Sequence, residues 1–275
     1  MMCGLAGVLI GDNSNGEVLE RIKGLFTMNL LANEERGKEA TGVSVLNCDC
    51  AFFVKKSPTR ASQFIESKSY KNFMNDMVGE EATILLGHTR RPTKGTPDNN
   101  DNNHPVVVGD TVGIHNGTIT NDDEIFLSKD RRRDRKRRRI GSVDSEAIFA
   151  LMDEIDPSQP LEGYVEEVRS AASLLVGSYT TMFFNRILPH NIFLLKYDNP
   201  ISVHYAQDLN SLFFSSGYVF LRRAFGRSVI TEALPSKRGY VFDSRLLNER
   251  KKQPLLHFAL QELKKEISTE DTIGG

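Results

Sequence analysis

The chain has 275 residues, of which 39% are hydrophobic and 26% charged, and its formal net charge is −1. These fractions are typical of a soluble globular protein, and the length allows one large domain or two small ones. The sequence has no apolar run of about eighteen residues and no secretory leader pattern at its start, so we predict no membrane span and a cytoplasmic location. Its three cysteines do not make a disulfide framework.

The near-zero net charge hides one strongly basic segment. Residues 131–139 hold eight of the 35 basic residues and one of the 36 acidic residues. The rest of the chain therefore has 27 basic against 35 acidic residues, a net charge of −8. Such a run is most simply a solvated loop. A contact with nucleic acid or with an acidic protein is the alternative, although no aromatic residues are interleaved to stack on bases.

Hydrophobic spacing predicts helices and strands through the first half of the chain. The predicted helices cover 17–33, 62–78, 142–152 and 161–172, and the predicted strands 5–10, 42–46, 51–55, 82–86, 105–108 and 111–115. Cys48 and Cys50 fall in a turn between two of these strands. No second Cys or His pair has matching spacing, so we predict no metal site. Asn116-Gly117 would most commonly be a hairpin turn.

Strands dominate the second half. They are predicted at 178–184, 191–197, 201–205 and 212–215, with a helix near 217–225, a further hairpin ending at 242 and a last helix over about 254–267. Helices that flank two groups of antiparallel strands suggest an α+β sandwich of four layers, although periodicity alone does not fix the number of layers. We predict a single domain over residues 1–275, with the basic segment inserted at about 128–140.

The amino terminus carries the first candidate functional residue, Cys3, which is followed by Gly4 and an apolar strand. Cys3 could be an ordinary buried thiol. If Met1 and Met2 are removed, however, its α-amine, with an ordinary pKa of about 8, could accept the proton of its own side chain and so activate the sulfur as a nucleophile.

Five further motifs occur in a fixed order, and with Cys3 they resemble those of the class II, or amino-terminal-nucleophile, glutamine amidotransferases. The motifs are Arg36-Gly37-Lys38-Glu39-Ala40-Thr41-Gly42, Gly87-His88-Thr89-Arg90 with Thr93, Asn103-His104-Pro105, His115-Asn116-Gly117-Thr118-Ile119, and Val143-Asp144-Ser145-Glu146. The resemblance covers residues 2–150, and the stretch from Gly177 onward resembles the family's second sheet. It implies the αββα sandwich of amino-terminal-nucleophile hydrolases.

The resemblance also implies how L-glutamine would be held. It assigns the substrate carboxylate to Arg90, because a guanidinium can bind a carboxylate through two hydrogen bonds, and the substrate ammonium to Asp144. Thr93 would line the same pocket. The alternatives are a surface ion pair for Arg90, a helix amino-terminal cap for Asp144 and a plain loop position for Thr93.

The chemistry implied is attack of the Cys3 thiol on the side-chain amide, which releases ammonia and leaves a thioester that water then hydrolyses. The Asn116 side-chain amide and the Gly117 backbone N–H would stabilise the oxyanion. Arg36 would hold loops near the nucleophile. No metal or cofactor is implied, and His88 and His104 are weaker candidates for direct catalysis.

The chain departs from the family in three ways. Met1-Met2 precedes the cysteine, so either translation begins at Met2, or a short propeptide is removed to leave Cys3 first, or the chain is inactive. Arg91-Pro92 replaces the family's aromatic and small residues. No synthase motif remains, so we expect a separate partner subunit to carry the ammonia acceptor. The competing hypotheses are a catalytically silent binding or regulatory module with the same fold, and a hydrolase of a different amide.

Overall fold

The computed structural model describes residues 3–12, 15–128 and 139–260. In these ranges no helix is both long enough and apolar enough to cross a membrane. Most of the predicted basic insertion at 128–140 lies outside the described residues, which resume at Arg139.

Two antiparallel sheets form the centre of the described structure. The first has the strand order β11-β9-β10-β1-β4-β2-β3 and the second β13-β12-β8-β7-β6-β5. The strands of the first sheet are β1 (Gly4–Ile10), β2 (Ala40–Asn47), β3 (Phe52–Ser57), β4 (Ala82–Arg90), β9 (Ser202–Ala206), β10 (Ser211–Ser215) and β11 (Glu232–Ala233). Those of the second are β5 (Val106–Val108), β6 (Thr111–Ile119), β7 (Gly177–Asn185), β8 (Asn191–Lys196), β12 (Arg238–Asp243) and β13 (Leu256–Ala259).

The helices of the described chain are mostly short. They are α1 (Gly16–Ala32), α2 (Ala61–Phe64), α3 (Lys68–Asp76), α4 (Asp122–Leu127), α5 (Ser145–Asp153), α6 (Leu161–Ala172), α7 (Tyr218–Phe225) and α8 (Leu247–Arg250), with 3-10 turns at Asn33–Arg36, Asn100–Asn102, Gln207–Leu209 and Ser244–Leu246. Helix α1 begins where the Asn15 side chain accepts a hydrogen bond from Glu17 N, which satisfies one of the free N–H groups of the first turn.

Three hydrophobic clusters show the four layers. One packs α1, α2, α3 and α7 against the outer face of the first sheet, and another packs α5 and α6 against the outer face of the second. The third lies between the sheets and alternates along the strands, taking Leu5 and Leu9 from β1 and Val112 and Ile114 from β6. The predicted αββα sandwich is therefore confirmed.

Three element predictions are wrong. The last helix, predicted over 254–267, is a strand at Leu256–Ala259, where the chain pairs with β12; residues 261–267 lie outside the described part. The hairpin ending at 242 does not form, because β11 joins β9 of the first sheet while β12 joins the second. The helix predicted over 62–78 is two helices. The second begins after Ser67, whose side chain caps it by accepting a hydrogen bond from Tyr70 N.

Asn116-Gly117 is not a turn, because it lies inside β6. Strand β5 is short and pairs only with Thr111–Gly113, whereas β7 pairs with β6 along its whole length. Residues 114–119 of β6 therefore have a strand neighbour on one side only. Their other edge is open, and the candidate site lies along it.

Candidate active site

Cys3 is held at the start of a central strand. Strand β1 pairs with β10 on one side and β4 on the other, so the backbone that follows Cys3 is fixed on both edges. A side chain at Gly4 would overlap Thr89 and Asn33, which is why a glycine follows the cysteine. The Arg36 Nε donates a hydrogen bond to Cys3 O over 2.8 Å. The position predicted to hold loops near the nucleophile thus contacts the cysteine itself.

Burial controls the acidity of the sulfur. It raises the pKa of the Cys3 thiol above the ordinary 9.0, and Asp144 acts in the same direction, while the Arg91 N–H, Arg90 and Arg36 oppose the shift. Arg91 N donates to Sγ over 3.3 Å. The resting thiol is therefore protonated near neutral pH and needs a base before it can act as a nucleophile.

Arg90 ends β4 and is buried, with 2% of its surface exposed, so the alternative of a surface ion pair is wrong. Its Nη1 donates to Asn103 Oδ1 over 2.9 Å. Its Nη2 donates to two backbone carbonyls of the following loop, Lys94 O at 2.7 Å and Gly95 O at 2.9 Å. Burial also lowers the pKa of Arg90 from its ordinary value.

Asp144 precedes α5 but does not cap it, because its side chain makes no hydrogen bond to that helix. Its Oδ2 instead accepts a hydrogen bond from Ile119 N, over 2.7 Å, at the open edge of β6. His115 O, four residues earlier, accepts a hydrogen bond from His88 Nε2 at the same edge. Because alternate residues of a strand direct their N–H groups to the same edge, the Gly117 N–H also points to this side.

Gly117 has φ +144°, a conformation that residues with a side chain rarely adopt, and a Cβ there would overlap Ser178 O of β7. Asn116, its neighbour, has its side chain on the inner face of β6 with Val112 and Ile114. Both polar atoms of the Asn116 side chain are buried without a hydrogen-bond partner. An unpaired buried amide is costly, and a water molecule or a ligand would satisfy it.

One small cavity joins most of the predicted residues. Cys3, Arg90, Thr93, Gly117 and Asp144 all line it, together with Arg91, Lys94, His104, His115, Val143 and Ser145. The space open to water is about 20 Å³, room for roughly one water molecule. Asn116 does not line the cavity as it stands. Among the described residues, no group of three or more His, Cys, Asp or Glu is arranged to hold a metal ion.

A cluster of three buried histidines, which the motif analysis did not bring together, lies beside the cavity. His88 stacks on His104 with ring centroids 4.1 Å apart, and His104 lies 6.5 Å from His115. His88 Nε2 must carry its proton, because its partner is a carbonyl oxygen. Burial lowers the pKa of His88 to about 3 and lowers those of His104 and His115 as well. At neutral pH the cluster is therefore uncharged.

This histidine cluster is expected to make stability depend on pH. Each ring has a lower pKa in the folded chain than its unfolded value of about 6.5, so protons bind the unfolded chain preferentially as the pH falls. The contribution of the three uncharged rings to the free energy of unfolding is complete above pH 6.5. Below that pH it falls, by up to about 1.4 kcal/mol per pH unit for each ring. Urea unfolding between pH 7.5 and 5.5 would measure this slope.

His104→Phe is expected to reduce that slope, because both nitrogens of this ring are buried without a partner and a phenyl ring has no proton to bind. His257→Gln, which removes an exposed histidine of β13 outside the cluster, controls for the loss of one imidazole. An unaltered slope in His104→Phe would contradict the assignment.

Comparison with known proteins finds sequence relatives among synthases and aminotransferases. The chain is 26% identical over 218 residues to the 7-cyano-7-deazaguanine synthase of Saccharolobus solfataricus, covering 78% of this chain and 43% of that protein. It is 25% identical over 215 residues to the glutamine–fructose-6-phosphate aminotransferase (isomerizing) of Aeropyrum pernix, covering 77% and 31%. No family model matches. The chain spans less than half the length of these relatives.

Solved structures share the fold. The glutamine phosphoribosylpyrophosphate amidotransferase of B. subtilis superposes with a TM-score of 0.64 at 13% identity, over 94% of this chain and 49% of that one. Together with the sequence relatives, this fold supports the resemblance of the chain to the class II, amino-terminal-nucleophile glutamine amidotransferases. The resemblance stated from the motifs is thereby confirmed.

Proposed function

We propose that this chain hydrolyses the side-chain amide of L-glutamine and supplies the ammonia to an acceptor held by a partner. The observation that carries the proposal is the shared cavity, in which a thiol, a guanidinium and a carboxylate face one another from Cys3, Arg90 and Asp144. A free amino acid presents one negative and one positive group beside its side chain. The cavity offers the complement of both.

Substrate binding would use these opposite charges. The carboxylate of glutamine would bind Arg90, and its ammonium would bind Asp144, whose Oδ2 also accepts a hydrogen bond from Ile119 N. Thr93 lies on the cavity wall and would contact the substrate backbone. This arrangement would direct the glutamine side chain toward the Cys3 sulfur.

The proton transfers would run through the α-amine of Cys3, once Met1 and Met2 are removed. The amine takes the thiol proton, sulfur bonds to the amide carbon, and the carbon–nitrogen bond breaks as the amine returns the proton to departing ammonia. A γ-glutamyl thioester remains. Water then attacks it, giving glutamate and restoring the thiol. The raised pKa of the thiol is the reason a base is needed.

Oxyanion stabilisation would come from two donors on β6, the Gly117 N–H at its open edge and the Asn116 side-chain amide, which would have to turn toward the cavity. The Asn116 amide is buried and unpaired, and the Gly117 N–H shares its edge with the Ile119 N–H that binds Asp144. The Gly117 N–H would be fixed before the reaction begins, so that little reorganisation of this donor is needed as charge develops on the oxygen.

The acceptor side of the reaction would belong to a synthase partner. The relatives are two to three times longer than the matched region, and their names describe synthesis or amino transfer. A contact with nucleic acid or an acidic protein through residues 131–139 stays a prediction from the sequence. A catalytically silent module and a hydrolase of another amide remain the competing functions.

Labelling with an electrophilic analogue of L-glutamine tests the proposal. The chain that begins at Cys3 should gain one adduct on Cys3, located by peptide mass spectrometry, and L-glutamine should protect it while D-glutamine does not. The chain that keeps Met1 and Met2 is the matched control and should not react, because its Cys3 nitrogen is an amide. Equal labelling of both forms would refute the α-amine mechanism, and no labelling of either would favour the silent module.

A further inference from the structure

The Gly117 N–H belongs to the peptide group that joins Asn116 to Gly117. Gly117 lines the cavity, and this N–H is one of the two proposed oxyanion donors. The atoms of a peptide group lie in one plane, and its N–H and C=O point in opposite directions. A contact that holds Asn116 O on one side of the plane therefore also sets the direction of the Gly117 N–H on the other side.

Asn116 O is held by a side chain from a distant part of the chain. Asn199, in the loop that follows β8, donates a hydrogen bond from Nδ2 to Asn116 O over 2.9 Å. Asn199 is buried, with 6% of its surface exposed. Because β7 lies between β6 and β8, this contact spans a whole strand.

Regular strand geometry does not fix this peptide. The angle φ of Gly117 is the rotation about its N–Cα bond, so it sets the tilt of the peptide relative to the strand that follows. Its value of +144° lies about 75° from the φ of roughly −140° that is usual in antiparallel strands. Gly177, on the paired strand, is also irregular, with φ +146°. The hydrogen bond from Asn199 therefore supplies a restraint at a point where both strands are irregular.

Asn199 is itself held in place before any substrate binds. Thr180 Oγ1 of β7 donates to Asn199 O over 2.6 Å. Nδ2 of Asn199 also donates to Ser178 Oγ over 3.3 Å, so each hydrogen of this amide has an acceptor. Ser178 Oγ in turn donates to Asp198 Oδ1 over 2.8 Å. The loop after β8 is thus fastened to β7 at two residues.

We propose that Asn199 is a positioning residue for the oxyanion hole, which holds the peptide between Asn116 and Gly117 so that the Gly117 N–H faces the cavity. The inference rests on the proposed function for the identity of the reaction. Asn199 is not among the residues that line the cavity, so it would act only through this peptide. A hydrogen bond to the carbonyl also polarises the N–H of the same peptide group and so strengthens the donor.

Loss of the Asn199 donor is expected to lower kcat and leave KM nearly unchanged, because negative charge on the oxygen develops only as the sulfur attacks. Removing an oxyanion donor typically costs about 100- to 1000-fold in rate, so turning one that is still present should cost less, about ten- to a hundredfold. Asn199→Asp is the test variant, because aspartate keeps the shape of the side chain and has no N–H to donate. Steady-state ammonia release from L-glutamine measures both constants.

An aldehyde analogue separates loss of alignment from general damage. L-glutamate γ-semialdehyde has an aldehyde in place of the amide. The Cys3 sulfur would bond reversibly to its aldehyde carbon, and the aldehyde oxygen, which receives the thiol proton, would occupy the oxyanion position. Its inhibition constant should rise in Asn199→Asp by about the factor by which kcat falls. The inhibition constant of L-glutamate, which forms no such adduct, should stay the same, whereas damage to the whole site would raise both.

Isotope labelling observes the peptide without any turnover. The chain contains two Asn-Gly dipeptides, Asn15-Gly16 and Asn116-Gly117. A sample with ¹³C′-labelled asparagine and ¹⁵N-labelled glycine therefore gives two correlated NMR signals. Asn199→Asp should move the Asn116-Gly117 signal upfield in ¹³C′, because the carbonyl carbon loses a deshielding hydrogen bond. The Asn15-Gly16 signal, from the exposed start of α1, should stay in place.

Asn210→Asp is the matched control. Asn210 is 8% exposed, and its Nδ2 also donates to a backbone carbonyl, that of Asp12. It lies beside Gly11, at the opposite end of β1 from Cys3. This variant should keep wild-type kcat and leave the Asn116-Gly117 signal unmoved.

Thr180→Val keeps the proposal testable if Asn199→Asp does not fold, which urea unfolding would show. Valine has nearly the shape of threonine but lacks the hydroxyl that holds Asn199 O. The Asn199 amide remains and is held less firmly. Thr180→Val should therefore show the same pattern as Asn199→Asp, with a smaller fall in kcat and an unchanged KM.

The inference is overturned if a folded Asn199→Asp variant keeps wild-type kcat, whether or not the Asn116-Gly117 signal moves. It is also overturned if kcat falls while that signal stays in place, because Asn199 would then act by another route. Both results require a wild-type chain that releases ammonia. A wild-type chain that releases no ammonia and binds no aldehyde would instead remove the proposed function, and the inference with it.

Discussion

Replacing Cys3 by alanine is expected to reduce ammonia release from glutamine by roughly 10⁴- to 10⁶-fold, the loss typical of removing a catalytic nucleophile. The reason is local. In the proposed mechanism Cys3 supplies the attacking sulfur and, once it is the first residue, the amine that accepts the sulfur's proton. Alanine keeps the amine and removes only the sulfur, so the variant isolates the nucleophile.

The measurement is steady-state ammonia release, with Cys48→Ala as the control that also removes one thiol. Cys48 is exposed in the turn between β2 and β3, where its sulfur donates to Glu81 Oε2 over 2.6 Å. Cys48→Ala should retain wild-type activity. Turnover of Cys3→Ala at even a hundredth of the wild-type rate would mean that another group attacks the amide.

The second large effect is expected for Asn116→Leu, which should lower kcat by about 100- to 1000-fold because it removes one oxyanion donor. The effect on stability should be small or favourable. Both polar atoms of the Asn116 side chain are buried without partners, and leucine of similar volume removes that unpaired polar group. Kinetics at saturating glutamine, with urea unfolding of the same samples, measures both quantities.

Asn185 offers a matched control at the other end of the same strand pair. It faces Thr111 in the β6–β7 register, is 1% exposed, and its side-chain oxygen accepts from Ile187 N. Because that acceptor is satisfied, Asn185→Leu should cost about 1–3 kcal/mol of stability and leave kcat unchanged. A similar kcat loss in both variants would show that Asn116 acts only through the fold.

The motifs and the resemblance were sufficient to indicate the layers and to name candidate site residues, whose roles stay predictions. Cys3 directly precedes the apolar strand β1 and Arg90 ends the apolar strand β4, so the pattern placed both residues at strand ends. The readings of Arg90 as a surface ion pair and of Asp144 as a helix cap could be rejected only with coordinates. Both depend on where the side chain turns.

Other features could not be predicted because they depend on tertiary pairing. The segment at 256–259 has leucines at helical spacing on both sides, yet its backbone adds to the free edge of β12. The contacts of Arg90 with Lys94 O and Gly95 O use backbone carbonyls, which every residue type has. The histidine cluster joins three separate motifs, and no pattern within one motif indicates the stacking.

The location of β1 in the middle of its sheet has a consequence for the order of assembly during synthesis. Its neighbours are β4, about eighty residues later, and β10 at Ser211–Ser215, more than two hundred residues later. Closing so long a loop is entropically slow compared with local contacts. A ribosome must therefore release the chain as far as Ser215 before β1 acquires its second edge, and shorter nascent chains would carry Cys3 without a finished site around it.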